Sequence, residues 1–176
     1  GGWAAHLSRD RYVYTGLDRS RPIAEFHMLN KLYKLGLPVP RPLAAQCARA
    51  GLFYSGDLMT RRLPDVVPLA DLPDTQHNDP AMWIATGACI RQFHDRGLVH
   101  ADLNARNILV GSESAVYLID FDRAQIRQGA WNLFEANLRR LQRSLRKILG
   151  TGQLERGWKY LQRGYKEARH HPGSLQ

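Results

Sequence analysis

Hydrophobic positions along the chain change period several times, and each change marks an element. Ser20-Arg21-Pro22 predicts a helix start, with Ser able to cap and Pro tolerated in the first turn. Phe26, Leu29 and Tyr33 follow at helical spacing, with Met28, Leu32 and Leu35 beside them, and Gly36 ends the run. Pro38, Pro40 and Pro42 then impose extended backbone. Two short strands are expected at about 43–47 and 52–60, punctuated by Gly56-Asp57. The Pro- and Asp-rich stretch from Pro64 to Asp79 reads as linker and loop. Trp83, Gly87, Ile90 and Phe93 predict a helix over about 80–96 that Gly97 closes. The apolar runs 107–110 and 115–119, joined by Gly111-Ser-Glu-Ser114, predict a hairpin. From Trp131 to Leu149 a stripe of Phe134, Leu138, Leu141, Leu145 and Ile148 predicts a helix. Residues 3–15 are open between a strand pair and a loop.

Composition adds little until charge is placed along the chain. At 176 residues the chain is one domain on length alone, and its apolar fraction suits a buried core. No run of apolar residues is long enough to span a membrane, and no signal-peptide pattern is present. Cys47 and Cys89 are too few and too scattered for a disulfide framework or zinc site. They read as small buried hydrophobes in a reducing cytoplasm. The formal charge of +9 is unevenly spread: residues 1–122 hold 13 basic and 13 acidic residues, whereas 123–176 hold 12 and 3. That asymmetry points to an anionic partner, and it also fits a merely solvated helical face.

The chemistry concentrates in His100-Ala-Asp102-Leu-Asn-Ala-Arg-Asn107-Ile-Leu-Val, then Leu118-Ile-Asp120-Phe-Asp122. Phosphoryl transfer from ATP requires a carboxylate to orient the attacking hydroxyl and oxygen ligands to hold Mg²⁺ against the phosphates. A helix ending at Gly97 delivers a loop with Asp102 and Asn107, and the hairpin after it carries Asp120. Taken singly, each of these residues is ordinary loop chemistry. The joint pattern, His-x-Asp-x-x-x-x-Asn followed 13 residues later by Asp-Phe, resembles the catalytic loop and metal-binding motif of the protein-kinase superfamily.

That resemblance implies Asp102 as catalytic base, Asn107 and Asp120 as Mg²⁺ ligands, His100 as a brace for the loop, and Phe121 packed beneath the site. It implies for Glu25, on the first helix, a pairing with a strand-borne basic residue that contacts the ATP phosphates. Leu58 to Leu63, with Thr60 and Arg61, falls where the adenine-binding hinge belongs. The implied fold is α+β and protein-kinase-like. A truncated N-terminal lobe (1–63) precedes a mainly helical C-terminal lobe (64–176) with basic C-terminal helices.

Departures from the protein-kinase pattern narrow the acceptor. Ala101 replaces the Arg of His-Arg-Asp, Asp-Phe-Asp replaces Asp-Phe-Gly, and only eight residues separate Asp122 from Trp131. No room is left for a peptide-docking activation segment, so a constitutive kinase with a small acceptor is expected. The chain also resembles the 3-deoxy-D-manno-octulosonic acid (Kdo) kinases of lipopolysaccharide assembly over roughly residues 3–150. Arg11-Tyr12, Thr15-Gly-Leu17, Ser20-Arg21, Glu25-Phe26 and Gly36-Leu-Pro-Val-Pro-Arg-Pro42 carry this likeness. So do His100 to Asn107, Leu118 to Arg123, and Asn137-Leu-x-Arg-Leu141 with Arg143-Ser-Leu145. It implies transfer of the ATP γ-phosphate to Kdo on a lipid A precursor at the cytoplasmic face of the inner membrane. Lipopolysaccharide heptose kinases are similar relatives that more often keep His-Arg-Asp.

Arg106, Arg123 and Arg127 stand close in sequence to these pieces and are candidates to grip the acceptor's anionic groups; Arg106 is equally readable as a structural loop residue. The helix over 131–149 has the composition of an interfacial helix at an anionic bilayer, although its stripe also suits packing on the core. No nucleic acid is expected, because aromatic residues are not interleaved with the basic ones. Aminoglycoside- or choline-type kinases take cationic acceptors, which this basic composition disfavours. The chain opens on Gly1-Gly2-Trp3 and reads as the inside of a longer protein. The family's nucleotide-covering loop and strand-borne basic residue would precede it, with His6 or Arg9 as conceivable substitutes. The chain by itself is therefore expected to be impaired, and a kinase-like binding module is the non-enzymatic alternative.

Overall fold

A computed structural model describes residues 3–13 and 20–168, with the side chains of 3–13 excepted. The chain forms two compact units. One comprises Gly1–Pro64 together with Asp120–Ala124, and the other Asp65–Ile119 with Gln125–Gln176.

The first unit is a three-stranded antiparallel sheet with one helix. Strands β1 (Trp3–Val13), β2 (Pro42–Ala50) and β3 (Phe53–Arg61) are ordered β1-β3-β2. The opening stretch is thus a single strand, paired from Trp3↔Arg61 to Val13↔Phe53 with a register shift between Ser8 and Tyr12. Thr15 to Leu17 lie outside the described residues. Gly56-Asp57 does not punctuate the strands as the sequence suggested: both residues sit inside β3, and the turn comes at Gly51, where φ is +63°. Gly56 is needed for close approach, since a Cβ there would lie 2.6 Å from the Gln46 carbonyl oxygen. Helix α1 (Arg21–Lys34) starts as expected, with Ser20 at the N-cap position and Pro22 in the first turn. It buries Leu29 and Leu32, whereas Tyr33, expected on the same face, is exposed. Cys47 is only half-buried on β2.

The second unit is built on helix α3 (Pro80–Asp95), whose Trp83, Cys89, Ile90 and Phe93 are almost wholly buried. Burial pushes the Cys89 thiol up to about 12, so it is an inert packing residue. Helix α5 (Thr151–Glu167), for which the sequence pattern supplied no bounds, lies directly against α3. A Cβ at Gly87 would stand 2.0 Å from the Leu161 carbonyl oxygen, and one at Gly164 the same distance from that of Ile84. Two glycines facing opposite backbones are what permits this approach.

The stretch from Pro64 to Asp79 is more ordered than a linker. Strand β4 (Val67–Pro68), a 3₁₀ turn (Leu69–Asp71) and the one-turn helix α2 (Asp74–His77) fill it, anchored by buried Leu69 and Leu72. β4 joins the expected hairpin, β6 (Ile108–Val110) and β7 (Val116–Leu118), in a small antiparallel sheet. A two-residue pairing links β5 (Leu98–Val99) to β8 (Gln125–Ile126). Helix α4 (Trp131–Arg146) stops short of Leu149. Its buried positions are Phe134, Asn137, Leu141 and Leu145, so a polar Asn replaces an expected apolar place and Ile148 is exposed.

Candidate active site

In the second unit, α3 ends and Gly97, at φ +77°, turns the chain into β5 and the loop that carries Asp102 and Asn107. Neutral hydrogen bonds hold this loop. The ring of His100 is buried, and its Nε2 lies 3.0 Å from the Ile119 carbonyl oxygen. A carbonyl only accepts, so Nε2 carries the hydrogen and Nδ1 is left to accept the Asp102 N–H at 3.1 Å. Asn137 on α4 closes both backbone groups of His100: its Oδ1 accepts from His100 N–H at 3.0 Å, and its Nδ2 donates to the His100 carbonyl at 2.8 Å. Further along, Ser144 Oγ accepts the Ala105 N–H, and Leu103 and Ala105 are buried pegs. His100 therefore acts as a brace, as the sequence implied.

Asp102 is the open point of this frame, with its side chain 55% exposed. Asn104 Nδ2 donates to Asp102 Oδ2 at 2.9 Å, and Arg140 Nη1 of α4 lies 3.0 Å from Oδ1. Asn104 also accepts the N–H groups of Arg106 and Asn107, which fixes the turn between them. Asn107 is nearly buried, and its Nδ2 donates to the Asp102 carbonyl at 2.9 Å. Its amide nitrogen is thereby committed and its Oδ1 is the atom left to serve as an oxygen ligand.

In the first unit, Asp120 has φ +62°, a left-handed backbone uncommon outside glycine. Phe121 follows with a buried ring, and its N–H donates to Glu25 Oε1 of α1 at 3.1 Å. Asp122 is ion-paired with Arg21. Burial, then the charges of Asp120 and Asp122, push the Glu25 carboxyl up to about 7, against the opposing Phe121 hydrogen bond and Arg21. The Asp120 carboxylate in the first unit and the Asn107 amide oxygen in the second are each a hard oxygen donor. No group of three or more His, Cys, Asp or Glu side chains among the described residues could hold a metal by itself.

The other candidates are distributed as follows. Thr60 pairs with both Ala4 and Pro42 inside the sheet, and the Arg61 N–H donates to the Arg41 carbonyl at 2.8 Å. Arg106 faces Asp71 at 3.4 Å, Arg123 is exposed 3.8 Å from Asp122, and Arg127 bonds Gln125 at 2.8 Å. Among the described residues of the second unit, neither Arg106 nor Arg127 forms a hydrogen bond or ion pair with Asp102. The side chains of His6 and Arg9 lie outside the described residues. Sequence reasoning did not single out Arg140 or Asn137, which sit 38 and 37 residues from their partners. Both belong to the stretch Asn137-Leu-x-Arg-Leu141, whose presence was the available signal.

The profile described as "Lipopolysaccharide kinase (Kdo/WaaP) family" matches residues 1–165. A 3-deoxy-D-manno-octulosonic acid kinase of Xanthomonas euvesicatoria pv. vesicatoria is 48% identical over 155 residues, covering 88% of this chain and 62% of that protein. One from Xanthomonas oryzae pv. oryzae is 46% identical over 171 residues, or 96% of this chain and 68% of the relative. A third, from Stenotrophomonas maltophilia, is 46% identical over 155 residues, with 88% and 62% covered. The chain thus spans roughly two thirds of the length of the curated relatives it matches. The mixed α+β architecture, with its braced His-x-Asp loop, agrees with a protein-kinase-like fold.

Proposed function

Because the chain belongs to the lipopolysaccharide kinase (Kdo/WaaP) family, we propose that it transfers the γ-phosphoryl group of ATP to a hydroxyl of Kdo on a lipid A precursor. The observation that carries this reading is the state of Asp102: a half-exposed carboxylate, paired with Arg140, on a loop whose backbone is fixed by hydrogen bonds from His100, Asn104 and Asn137. Such a group can accept a hydrogen bond from an incoming sugar hydroxyl and then its proton, while the hydroxyl oxygen bonds to the γ-phosphorus and ADP leaves.

Asn107 Oδ1 and the Asp120 carboxylate are the groups to hold Mg²⁺, which when bound neutralises charge on the β- and γ-phosphates. Glu25 belongs to the nucleotide side, where its N–H partner Phe121 keeps the Asp120–Asp122 stretch in place. Thr60 and Arg61 mark the end of the strand that leads to the adenine hinge, whose recognition would use backbone groups. Arg106, Arg123 and Arg127 remain candidates for the acceptor's anionic groups.

No helix among the described residues is long and apolar enough to cross a membrane. We place the protein at the cytoplasmic face of a Gram-negative inner membrane as a peripheral enzyme. Arg143, Arg146 and Lys147 are exposed around the end of α4 beside exposed Ile148, which suits an anionic surface. Nucleic acid is not part of this reading.

The test is Mg²⁺-dependent transfer of labelled γ-phosphate to Kdo-bearing lipid A precursor, with a heptose-bearing acceptor alongside. It is run on this chain and on a form extended to the length of its relatives. Transfer to the Kdo acceptor in either form supports the proposal. Transfer to heptose alone, or to neither acceptor in either form, overturns it.

A further inference from the structure

Arg140 is the one cation that touches the proposed base among the described residues, and the assigned machinery does not use it. It projects from α4 to Asp102 across 38 residues of sequence, with Nη1 3.0 Å from Oδ1. The guanidinium side chain is 49% exposed and the Asp102 side chain 55%, so the pair stands at an open surface. Exposed ion pairs of this kind contribute little to stability, which makes fold maintenance a weak account of its position. Its neighbour Arg139 is different: it pairs along the helix with Glu135 at 3.3 Å, away from Asp102.

A guanidinium is a planar fork of five N–H donors. Among the described residues Arg140 meets an acidic partner through Nη1 alone, so the fork has donors to spare. Asp102 has both oxygens engaged, Oδ2 by Asn104 and Oδ1 by Arg140, yet each carboxylate oxygen has a second lone pair for a hydroxyl. A molecule that brings its hydroxyl to Asp102 therefore arrives beside Arg140. If that molecule also carries a carboxylate, the fork can bond both anions at once, with bidentate geometry toward the newcomer.

We propose that Arg140 binds the carboxylate of the acceptor and, through its simultaneous contact with Asp102, sets which hydroxyl meets the base. This rests on the functional reading above, in which the acceptor is an octulosonic acid and so an anion at neutral pH. Arg140 is then the residue that selects an acidic sugar over a neutral one. Arg106, Arg123 and Arg127 are left to phosphates or to structural contacts.

The experiment compares wild type, Arg140→Ala, Arg140→Lys and Arg139→Ala on a Kdo acceptor and on its carboxyl-reduced, uncharged analogue. Arg140→Ala should raise the KM for the carboxylate acceptor by about tenfold or more, change that for the analogue less than about twofold, and leave the KM for ATP unaltered. Arg140→Lys should recover part of the loss, because a point charge replaces the fork, and Arg139→Ala should behave as wild type. An equal loss on both acceptors, or a fall in kcat alone, shows that Arg140 only tunes Asp102 and overturns the proposal. If the wild type phosphorylates neither acceptor, the functional reading fails first. Calorimetric binding of free Kdo to wild type and Arg140→Ala then decides the role of Arg140, and equal affinities or no binding refute it.

Discussion

The two segments that carry the candidate chemistry are held by opposite means. In the second unit, the backbone of the Asp102 loop is fastened by neutral bonds, from the His100 ring, the paired contacts of Asn137, the Ser144 hydroxyl and the Asn104 amide, and the charged contact from Arg140 falls on the Asp102 carboxylate itself. In the first, the stretch Asp120–Ala124 is fastened through charge, with Glu25 on the Phe121 N–H and Arg21 on Asp122. A loop that must present one half-exposed carboxylate gains from backbone supports that add no further charge beside the Arg140 pair. In the first unit the Glu25 carboxyl is raised mainly by burial, and the charges of Asp120 and Asp122 add to the shift. Neutral buried supports are insensitive to salt and costly to lose, whereas charged, partly exposed ones are individually weak and screened.

Removing a neutral support should therefore have the larger effect. Asn137→Ala strips partners from the buried N–H and carbonyl of His100, and a loss of about 2–4 kcal/mol is expected by denaturant titration. A loss below about 1 kcal/mol would show that the neutral frame is not what fixes this loop.

Acid tests the same frame more gently. The His94 imidazole, stacked on Phe134 and hydrogen-bonded to Tyr165, is held by burial at about 4, with Arg91 and His100 adding to the shift and the Asn137 amide opposing it. In the unfolded chain the same ring titrates near 6.5. Between these values the unfolded state binds a proton that the folded state refuses, so stability falls as pH drops from about 6.5 to about 4 and levels off below. The loss in that window reaches about 3 kcal/mol at most. His94→Gln should flatten it in pH-dependent unfolding, and an unchanged slope would remove His94 from the account.

The charged support should yield least. Arg21→Ala is expected to cost about 1 kcal/mol or less, because the Arg21 side chain is 39% exposed. High salt should erase most of the difference from wild type. A loss as large as that of Asn137→Ala, or one that persists in salt, would break the comparison.

These contrasts show why the sequence was readable in some places and silent in others. Helices α1 and α3 were legible because Ser20, Pro22, Gly36 and Gly97 mark their ends, and the His-x-Asp loop because its residues are adjacent in sequence. Gly56 misled, since close approach to Gln46 and a turn both demand glycine and the pattern does not separate them. The contacts of Gly87 and Gly164 were hidden for the same reason: they depend on how α3 and α5 meet. Leu69 and Leu72 order a Pro- and Asp-rich stretch that local composition marks as loop. Asn137 and Arg140 looked like ordinary residues of a basic helix, and only tertiary structure puts one on His100 and the other on Asp102. Local chemistry and the His100 brace were legible, and the supports that α4 supplies were not.

The most direct test of the central claim is the kinetics of Asp102→Asn on the Kdo acceptor. The amide keeps the size of the side chain and can still bond Asn104, but it cannot take the proton. The account predicts a fall in kcat of about 10²–10⁴-fold, with the KM for ATP changed no more than about threefold. Turnover within about threefold of wild type would contradict it, because the carboxylate would then have no part in the transfer.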